Sequence, residues 1–214
     1  MDVKVDIRVL ELLASRLCHD LISPIGAVNN GLELLEDEES GMADDALELS
    51  IKSARRAADL LQTYRVSLGG AGNQPSFRLA DARALAASIL EGGKVRLDWP
   101  TDQDATPVPQ GMAKLALNLV MLAGDCLPRG GSIAVAFAGT DGKVETQVTA
   151  TGQGARLAPE LSAALDAGAA IAELTPKTVQ GYFSARLAES LDGGLGVPRT
   201  AQDSVVLSAF LPSS

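Results

Sequence analysis

The sequence predicts an α+β protein, in which an N-terminal antiparallel helical hairpin precedes a sandwich of helices on one face of a mixed sheet. Three observations predict this class. Two long segments with helical apolar periodicity open the chain, a glycine-rich break follows, and short helical and strand patterns are mixed in the remainder. We therefore expect residues 1–69 to form the hairpin, residues 70–78 a linker and residues 79–214 the sandwich domain.

The first predicted helix covers about residues 6–37. Its apolar side chains recur every three or four residues, apart from one double step, which is the spacing of one helix face. They are Leu10, Leu13, Leu17, Leu21, Val28, Leu32 and Leu35. The stripe lasts about eight turns, whereas the usual helix has three or four. The acidic run at residues 36–39 is expected to be a solvated loop.

The second predicted helix covers about residues 42–68, and the glycines at 69–70 end it. Its apolar residues follow a heptad-like spacing, interrupted only by Arg65. They are Leu47, Ile51, Ala54, Ala58, Leu61 and Leu68. Two such helices joined by a short loop form a hairpin that buries little apolar surface by itself. We therefore expect a homodimer in which two hairpins form a four-helix bundle.

The sandwich domain is expected to mix short helices and strands. The elements are a helix at 79–91, a strand at 94–99, a helix at 112–127, strands at 133–138 and 144–150, helices at 158–167 and 177–191, and a strand at 205–211. Asp141-Gly142 between two apolar runs predicts a β-hairpin turn. Thr175 followed by Pro176 predicts the start of the last helix.

Composition and charge exclude several classes of function. Eighteen basic residues against 27 acidic ones give a net charge of −9, and aromatic residues make up only 3% of the chain. Nucleic-acid binders usually need a basic face and often aromatic platforms, and membrane-surface helices are basic. The first eight residues carry charges, and the longest apolar stretch, at 115–124, is too short to span a bilayer. We expect a cytoplasmic protein that binds neither nucleic acid nor membrane.

His19, the only histidine of the chain, falls on the outer face of the first predicted helix. At about 100° per residue from Leu10, the apolar stripe stays within roughly 60°, whereas His19 lies at about 180°. An exposed imidazole is largely neutral near pH 7 and is therefore nucleophilic. The adjacent Asp20 can accept the proton of one ring nitrogen, so that the other nitrogen presents its lone pair. By its position alone, a lone surface histidine more often has no chemical role.

Pro24 interrupts the same helix one turn later. Its ring clashes with the carbonyl of Asp20 and removes one helical hydrogen bond. A kink or a loosening just beyond His19 is therefore expected. A proline inside a helix costs about 3 kcal/mol, a disadvantage that is easier to understand if the distortion serves a function.

Residues 19–25, His-Asp-Leu-Ile-Ser-Pro-Ile, resemble the phosphoacceptor box of histidine kinase dimerisation domains. That box pairs a histidine with an acidic neighbour and has Ser or Thr and then Pro four and five positions later. The resemblance implies a dimeric four-helix bundle whose outward histidine, His19, carries a phosphoryl group on nitrogen. It also implies that Asp20 assists proton transfer and that Ser23 positions water for dephosphorylation.

The second domain resembles the ATP-binding domain of the same kinases, with its ligand residues missing. Residues 114–131 resemble the N-box helix, where Asn118 matches the first asparagine and Leu122 replaces the second, magnesium-associated one. Ala150 stands in place of the aspartate that accepts from adenine. Residues 180–183, Gln-Gly-Tyr-Phe, replace the glycine loop, and their two aromatic side chains block a phosphate nest and are expected to fill the vacant cleft.

A phosphoacceptor hairpin joined to such a domain is similar to the ChpT-type histidine phosphotransferases of alphaproteobacteria over nearly the whole chain. The resemblance implies that His19 takes a phosphoryl group from the receiver domain of a hybrid kinase and passes it to response-regulator receivers, without autokinase activity. It implies no cofactor or metal of the protein's own, because the receiver's Mg²⁺ stabilises the in-line transition state.

Four residues near His19 are candidates for the receiver contact, namely Arg16, Ile22, Ile25 and Gly26. They surround or border the outer face and offer an apolar patch. For Ile22, the receiver contact is matched by a simpler explanation, in which the residue is an ordinary exposed one or packs on the partner hairpin. The second domain either extends the receiver interface or only stabilises the dimer. Two other functions stay open: a non-catalytic dimer that binds or sequesters receivers, and a reduced kinase, which the eroded ligand boxes disfavour.

Overall fold

The computed structural model describes residues 6–36, 41–140 and 142–213. A helical hairpin comes first, and a mixed sheet with packed helices follows, which confirms the predicted fold class. The acidic residues at 37–39 and Asp141 lie outside the described residues. Gly142 has a φ of +77°, which suits a glycine in the turn between the two strands that flank it. Within the described ranges, no helix has both the length and the hydropathy needed to cross a membrane.

The hairpin consists of α1 (Ile7–Glu36) and α2 (Ala43–Ser67), each within one residue of its predicted bounds. Helix α1 continues through Pro24, so the proline does not end the helix, although it leaves the carbonyl of Asp20 without its intrahelical donor. The two helices approach each other closely at Gly31. A Cβ atom there would lie 2.8 Å from the carbonyl oxygen of Ala46 on α2, so this crossing requires a glycine.

The two helices do not pack through the stripe predicted for α2. The seam against α1 uses small residues of α2 that are buried, namely Ala46, Ser50, Ser53 and Ala57. The leucine stripe lies beside this seam, and its large members Leu47, Ile51 and Leu61 are roughly half exposed in the single chain. Leu10 and Leu32 of α1 are half exposed in the same way. The heptad spacing therefore identifies an apolar face, but a different face closes the hairpin.

The sandwich domain contains the remaining elements. They are α3 (Leu79–Leu90), β1 (Val95–Asp98), α4 (Met112–Asp125), β2 (Gly131–Thr140), β3 (Lys143–Thr151), α5 (Pro159–Ala164), α6 (Val179–Ser190), β4 (Gly194–Leu195), β5 (Arg199–Ala201) and β6 (Ser204–Pro212). The strand order is β1-β2-β3-β6-β4, and β5 pairs with β6. Strand β1 runs parallel to β2, and the other pairs are antiparallel. The short strands β4 and β5 were not predicted.

The core of this domain lies between α4 and the sheet. Helix α4 is apolar on nearly all sides and is buried along almost its whole length, as a central helix must be. Strands β3 and β6 alternate buried and partly exposed residues, so one face of the sheet packs on the helices. Helix α6 begins at Val179, later than predicted, and its N-cap is Thr178 rather than Thr175. The Oγ1 atom of Thr178 makes no capping bond and instead accepts from the backbone N–H of Thr175 at 3.0 Å.

The hairpin and the sandwich domain are joined by more than the chain between them. Nζ of Lys114 donates to the carbonyl of Gly69 at 2.9 Å and to Oδ1 of Asn73 at 3.1 Å, which anchors a short 3-10 turn at the start of the expected linker. Arg8 of α1 donates to the carbonyls of residues 171, 172 and 174. Apolar residues of α1 complete the contact by packing against Leu174 and other residues of the second domain.

Candidate active site

His19 lies in the middle of α1 with its side chain 80% exposed. Its Nδ1 lies 3.1 Å from Oδ1 of Asp20. An ionised carboxylate can only accept hydrogen bonds, so this contact places the ring proton on Nδ1. In the neutral ring the lone pair is then on Nε2, which makes Nε2 the nucleophilic atom.

Asp20 has separate partners for its two oxygens. While Oδ1 accepts from His19, Oδ2 accepts from the hydroxyl of Tyr64, which projects from α2. Nε of Arg16 lies 3.9 Å from Oδ2, within ion-pair range but beyond hydrogen-bond distance. Sequence reasoning missed Tyr64. A buried tyrosine needs a partner for its hydroxyl, but no spacing along the chain identifies that partner as Asp20.

Arg16 does not belong to an exposed contact patch, and the structure corrects this prediction. Its side chain is only 10% exposed and bridges the two domains: Nη2 contacts Oδ2 of Asp125 at 2.8 Å, and Nη1 donates to the carbonyl of Lys177 at 2.9 Å. Burial by itself lowers the pKa of the guanidinium, but the contacts with Asp125 and Tyr64 more than reverse this effect. Arg16 therefore ties α1 to the sandwich domain as a permanent cation.

The other predicted site residues are distributed around α1. Ser23 is exposed one turn after His19 and lies on the same helix face. Ile22 is exposed about 60° around the helix from His19, and Gly26 is partly exposed two turns after His19 on the same face. Ile25 is six residues from His19 and therefore about 120° around the helix from it, on the side of the half-exposed Leu32. The structure brings His19, Asp20 and Ser23 together but turns Ile25 away.

An open groove of about 1010 Å³ runs beside His19. One wall is α1, and the opposite wall is α2, with the basic residues Lys52, Arg55 and Arg56. Residues 91–93, just after α3, line one end, so the second domain contributes to the surface around the histidine. Arg56 links that end to α2 by donating to the carbonyl of Ile89. Across the described ranges, no group of three or more His, Cys, Asp or Glu side chains is placed to hold a metal ion.

The positions that resemble nucleotide ligands are occupied by internal contacts. Asn118 is completely buried, and its Nδ2 donates to the carbonyls of Ser67 and Lys114, both at 2.9 Å. Its Oδ1 accepts from Nε2 of Gln180 at 3.2 Å. Leu122 and Ala150 are completely buried in the core. These three side chains are therefore engaged in contacts inside the protein.

The two aromatic residues of the remnant glycine loop go to different places. Phe183 lies under Nζ of Lys114, which is 5.6 Å from the ring centroid. Tyr182 instead packs against the apolar cluster that includes Val9 of α1. Tyr182 therefore packs internally rather than forming a binding surface, and through Val9 it also contributes to the domain interface.

Arg16→Met is expected to lower the free energy of unfolding by about 2–3 kcal/mol. The change keeps most of the side-chain volume but leaves Asp125 and the carbonyl of Lys177 without their donor, and the partial exposure of Asp125 keeps the loss below that of a fully buried pair. Urea unfolding of the variant and the wild-type protein measures this change in the free energy of unfolding. Lys52→Ala is the matched control, because it breaks an exposed pair with Glu48 and should leave the midpoint unchanged. Equal midpoints for both variants would contradict the prediction.

Comparison with known proteins identifies the family. Residues 79–203 match the model of the histidine phosphotransferase C-terminal domain. Protein phosphotransferase ChpT of Brucella abortus (strain 2308) is 38% identical over 200 residues, which cover 92% of this chain and 93% of that protein. A solved structure of a bacterial phosphotransferase superimposes with a TM-score of 0.80 at 35% identity, covering 97% of this chain and 98% of the other. The chain therefore belongs to the ChpT-type histidine phosphotransferases, the family that its sequence resembles, and its activity is phosphotransfer.

Proposed function

We propose that this protein accepts a phosphoryl group on Nε2 of His19 from the aspartyl phosphate of a hybrid-kinase receiver, and then delivers it to the aspartate of response-regulator receivers. The observation that carries the proposal is the 3.1 Å contact between Nδ1 of His19 and Asp20 on an exposed helix face. In the neutral ring this contact leaves Nε2 unprotonated and accessible, so the attack needs no further catalytic group from this chain.

The transfer needs little chemistry beyond alignment. The lone pair of Nε2 attacks phosphorus, the bond between phosphorus and the aspartate oxygen breaks, and the carboxylate leaves with the electron pair. No proton has to leave Nε2, because the ring proton is on Nδ1. The phosphorylated ring is then cationic, and the carboxylate of Asp20 stabilises it. Delivery reverses these steps, and the receiver supplies the Mg²⁺ that neutralises the charge on the phosphoryl group.

The groove beside His19 is the proposed binding site for the receiver. A phosphorylated receiver presents a strongly anionic site, and the α2 wall carries three basic residues, Lys52, Arg55 and Arg56, against one carboxylate, Asp59, in a chain whose net charge is −9. Ile22 and Gly26 border the contact, and Ser23 positions water when the phosphohistidine is hydrolysed. Residues 91–93 extend this binding site into the second domain. The second domain would therefore take part in receiver recognition.

We also propose that the protein is a homodimer. Half-exposed apolar residues of both helices lie on the side of the hairpin away from His19, namely Leu10, Ile25 and Leu32 of α1 and Leu47, Ile51 and Leu61 of α2. A second copy of the hairpin covers such a face in a four-helix bundle. Ile25 is assigned to this face together with Leu32, rather than to the receiver contact.

Labelling experiments test the proposed function. The protein is incubated with radiolabelled ATP alone and, separately, with a purified receiver domain that carries labelled aspartyl phosphate. Label from the receiver only is the expected result, because Asn118, Leu122 and Ala150 are engaged inside the core. Label from ATP alone would instead support a reduced kinase. Receiver binding without label on this protein would support the non-catalytic dimer.

A further inference from the structure

We infer that Tyr64 is a positioning residue for phosphotransfer, because its hydroxyl holds the Asp20 carboxylate in the orientation that lets Oδ1 accept from Nδ1 of His19. This inference rests on the proposed function of His19. It assigns a task to a side chain of α2 that does not contact the phosphoryl group. Tyr64 acts only through Asp20, and Asp20 acts only through the ring nitrogen.

Helix geometry explains why Asp20 needs to be held. Neighbouring residues on a helix lie about 100° apart and do not face each other. The contact between His19 and Asp20 therefore depends on the side-chain orientation of Asp20 rather than on adjacency. A carboxylate is planar, so a donor that holds Oδ2 also sets the direction of Oδ1. The Tyr64 hydroxyl is the donor on Oδ2.

Tyr64 is suited to this task because it is itself immobile and protonated. The residue is 2% exposed and packs in the seam between α1 and α2. Burial, together with the hydrogen bond to Asp20, holds the pKa of the phenol well above its usual range. The hydroxyl therefore remains a donor at every pH at which the protein is assayed.

Arg16 is the competitor for the Asp20 carboxylate. Its buried Nε has no hydrogen-bond partner and lies 3.9 Å from Oδ2 of Asp20. Without the Tyr64 hydroxyl, the carboxylate is free to turn towards this cation and away from His19. Nδ1 then loses its acceptor, and the ring proton moves to Nε2, the usual tautomer of a free imidazole. Nε2 would then have no lone pair for attack.

The test uses the fact that the chain has a single histidine. In full-length protein labelled with ¹⁵N-histidine, all imidazole signals come from His19, and the nitrogen shifts report the tautomer directly. For Tyr64→Phe, we expect the ratio of the Nδ1–H to the Nε2–H tautomer to fall by roughly threefold to tenfold. The rate of transfer from a phosphorylated receiver should fall by a similar factor. Tyr182→Phe is the matched control, since it removes the chain's other tyrosine hydroxyl and should change neither quantity.

A double-mutant cycle separates positioning from a general structural effect. In an Asp20→Ala background, Tyr64→Phe should have no further effect on the tautomer ratio or on the transfer rate, because the carboxylate it positions is gone. An unchanged tautomer ratio in the single variant would overturn the inference, and so would an equal effect in both backgrounds. The tautomer is measured without any receiver. Failure of His19 to take label in the wild-type protein would therefore count against the proposed function, whereas the nuclear magnetic resonance result decides the role of Tyr64.

Discussion

His19→Ala is expected to abolish labelling by a phosphorylated receiver, with a loss of at least about a thousandfold in transfer rate. The substitution removes the only imidazole of the chain and with it the attacking Nε2 atom. The side chain is 80% exposed, so its loss should leave the fold intact. The measurement is the rate at which label leaves the receiver and appears on this protein.

The control for this prediction is Ser15→Ala, which changes another exposed residue one turn earlier on the same helix. It should transfer at the wild-type rate, and both variants should unfold at the wild-type temperature. Label that persists on the His19→Ala protein would place the phosphoryl group on another residue and contradict the assignment.

Leu47→Glu combined with Leu61→Glu is expected to convert the proposed dimer into monomers. Both leucines lie on the uncovered apolar face of α2. A buried leucine contributes about 1.5–3 kcal/mol, and the symmetry of a dimer brings four glutamates together, so the dissociation constant should rise by at least about a thousandfold. Sedimentation velocity over a concentration series measures the change.

Leu49→Glu is the matched control for the dimer prediction. Leu49 is also partly exposed, but it lies roughly 160° around α2 from Leu47, away from the proposed interface. This variant should sediment like the wild-type protein. A wild-type protein that is monomeric at every concentration would contradict the dimer, and dissociation by the Leu49 variant would place the interface on another face.

Local patterns of the sequence carry most information about elements and least about contacts. The two long helices follow from apolar spacing, and both are found within one residue of their predicted bounds. The same spacing does not show which face closes the hairpin, because small residues such as Ser50 and Ala57 give no apolar signal although they form the seam. Strand β4 has only two residues and is too short for a periodic pattern.

In the candidate site too, the sequence predicts which residues share a helix surface but not which distant residues they contact. His19, Asp20 and Ser23 stand within one turn of a helix, so helical geometry alone predicts that they share a region of the surface. Arg16 lies within one turn before His19, yet its side chain is drawn into the domain interface by Asp125, which is 109 residues away in the chain. No local pattern indicates that pairing.

The sequence by itself therefore determined the fold class and the exposed histidine with its acidic neighbour. Each of these depends on residue type and on spacing within one element. Only the tertiary structure decided that Tyr64 holds Asp20, that Arg16 joins the domains and that residues 91–93 line the groove beside His19. These contacts join segments far apart in the chain, and their positions follow from how the helices pack.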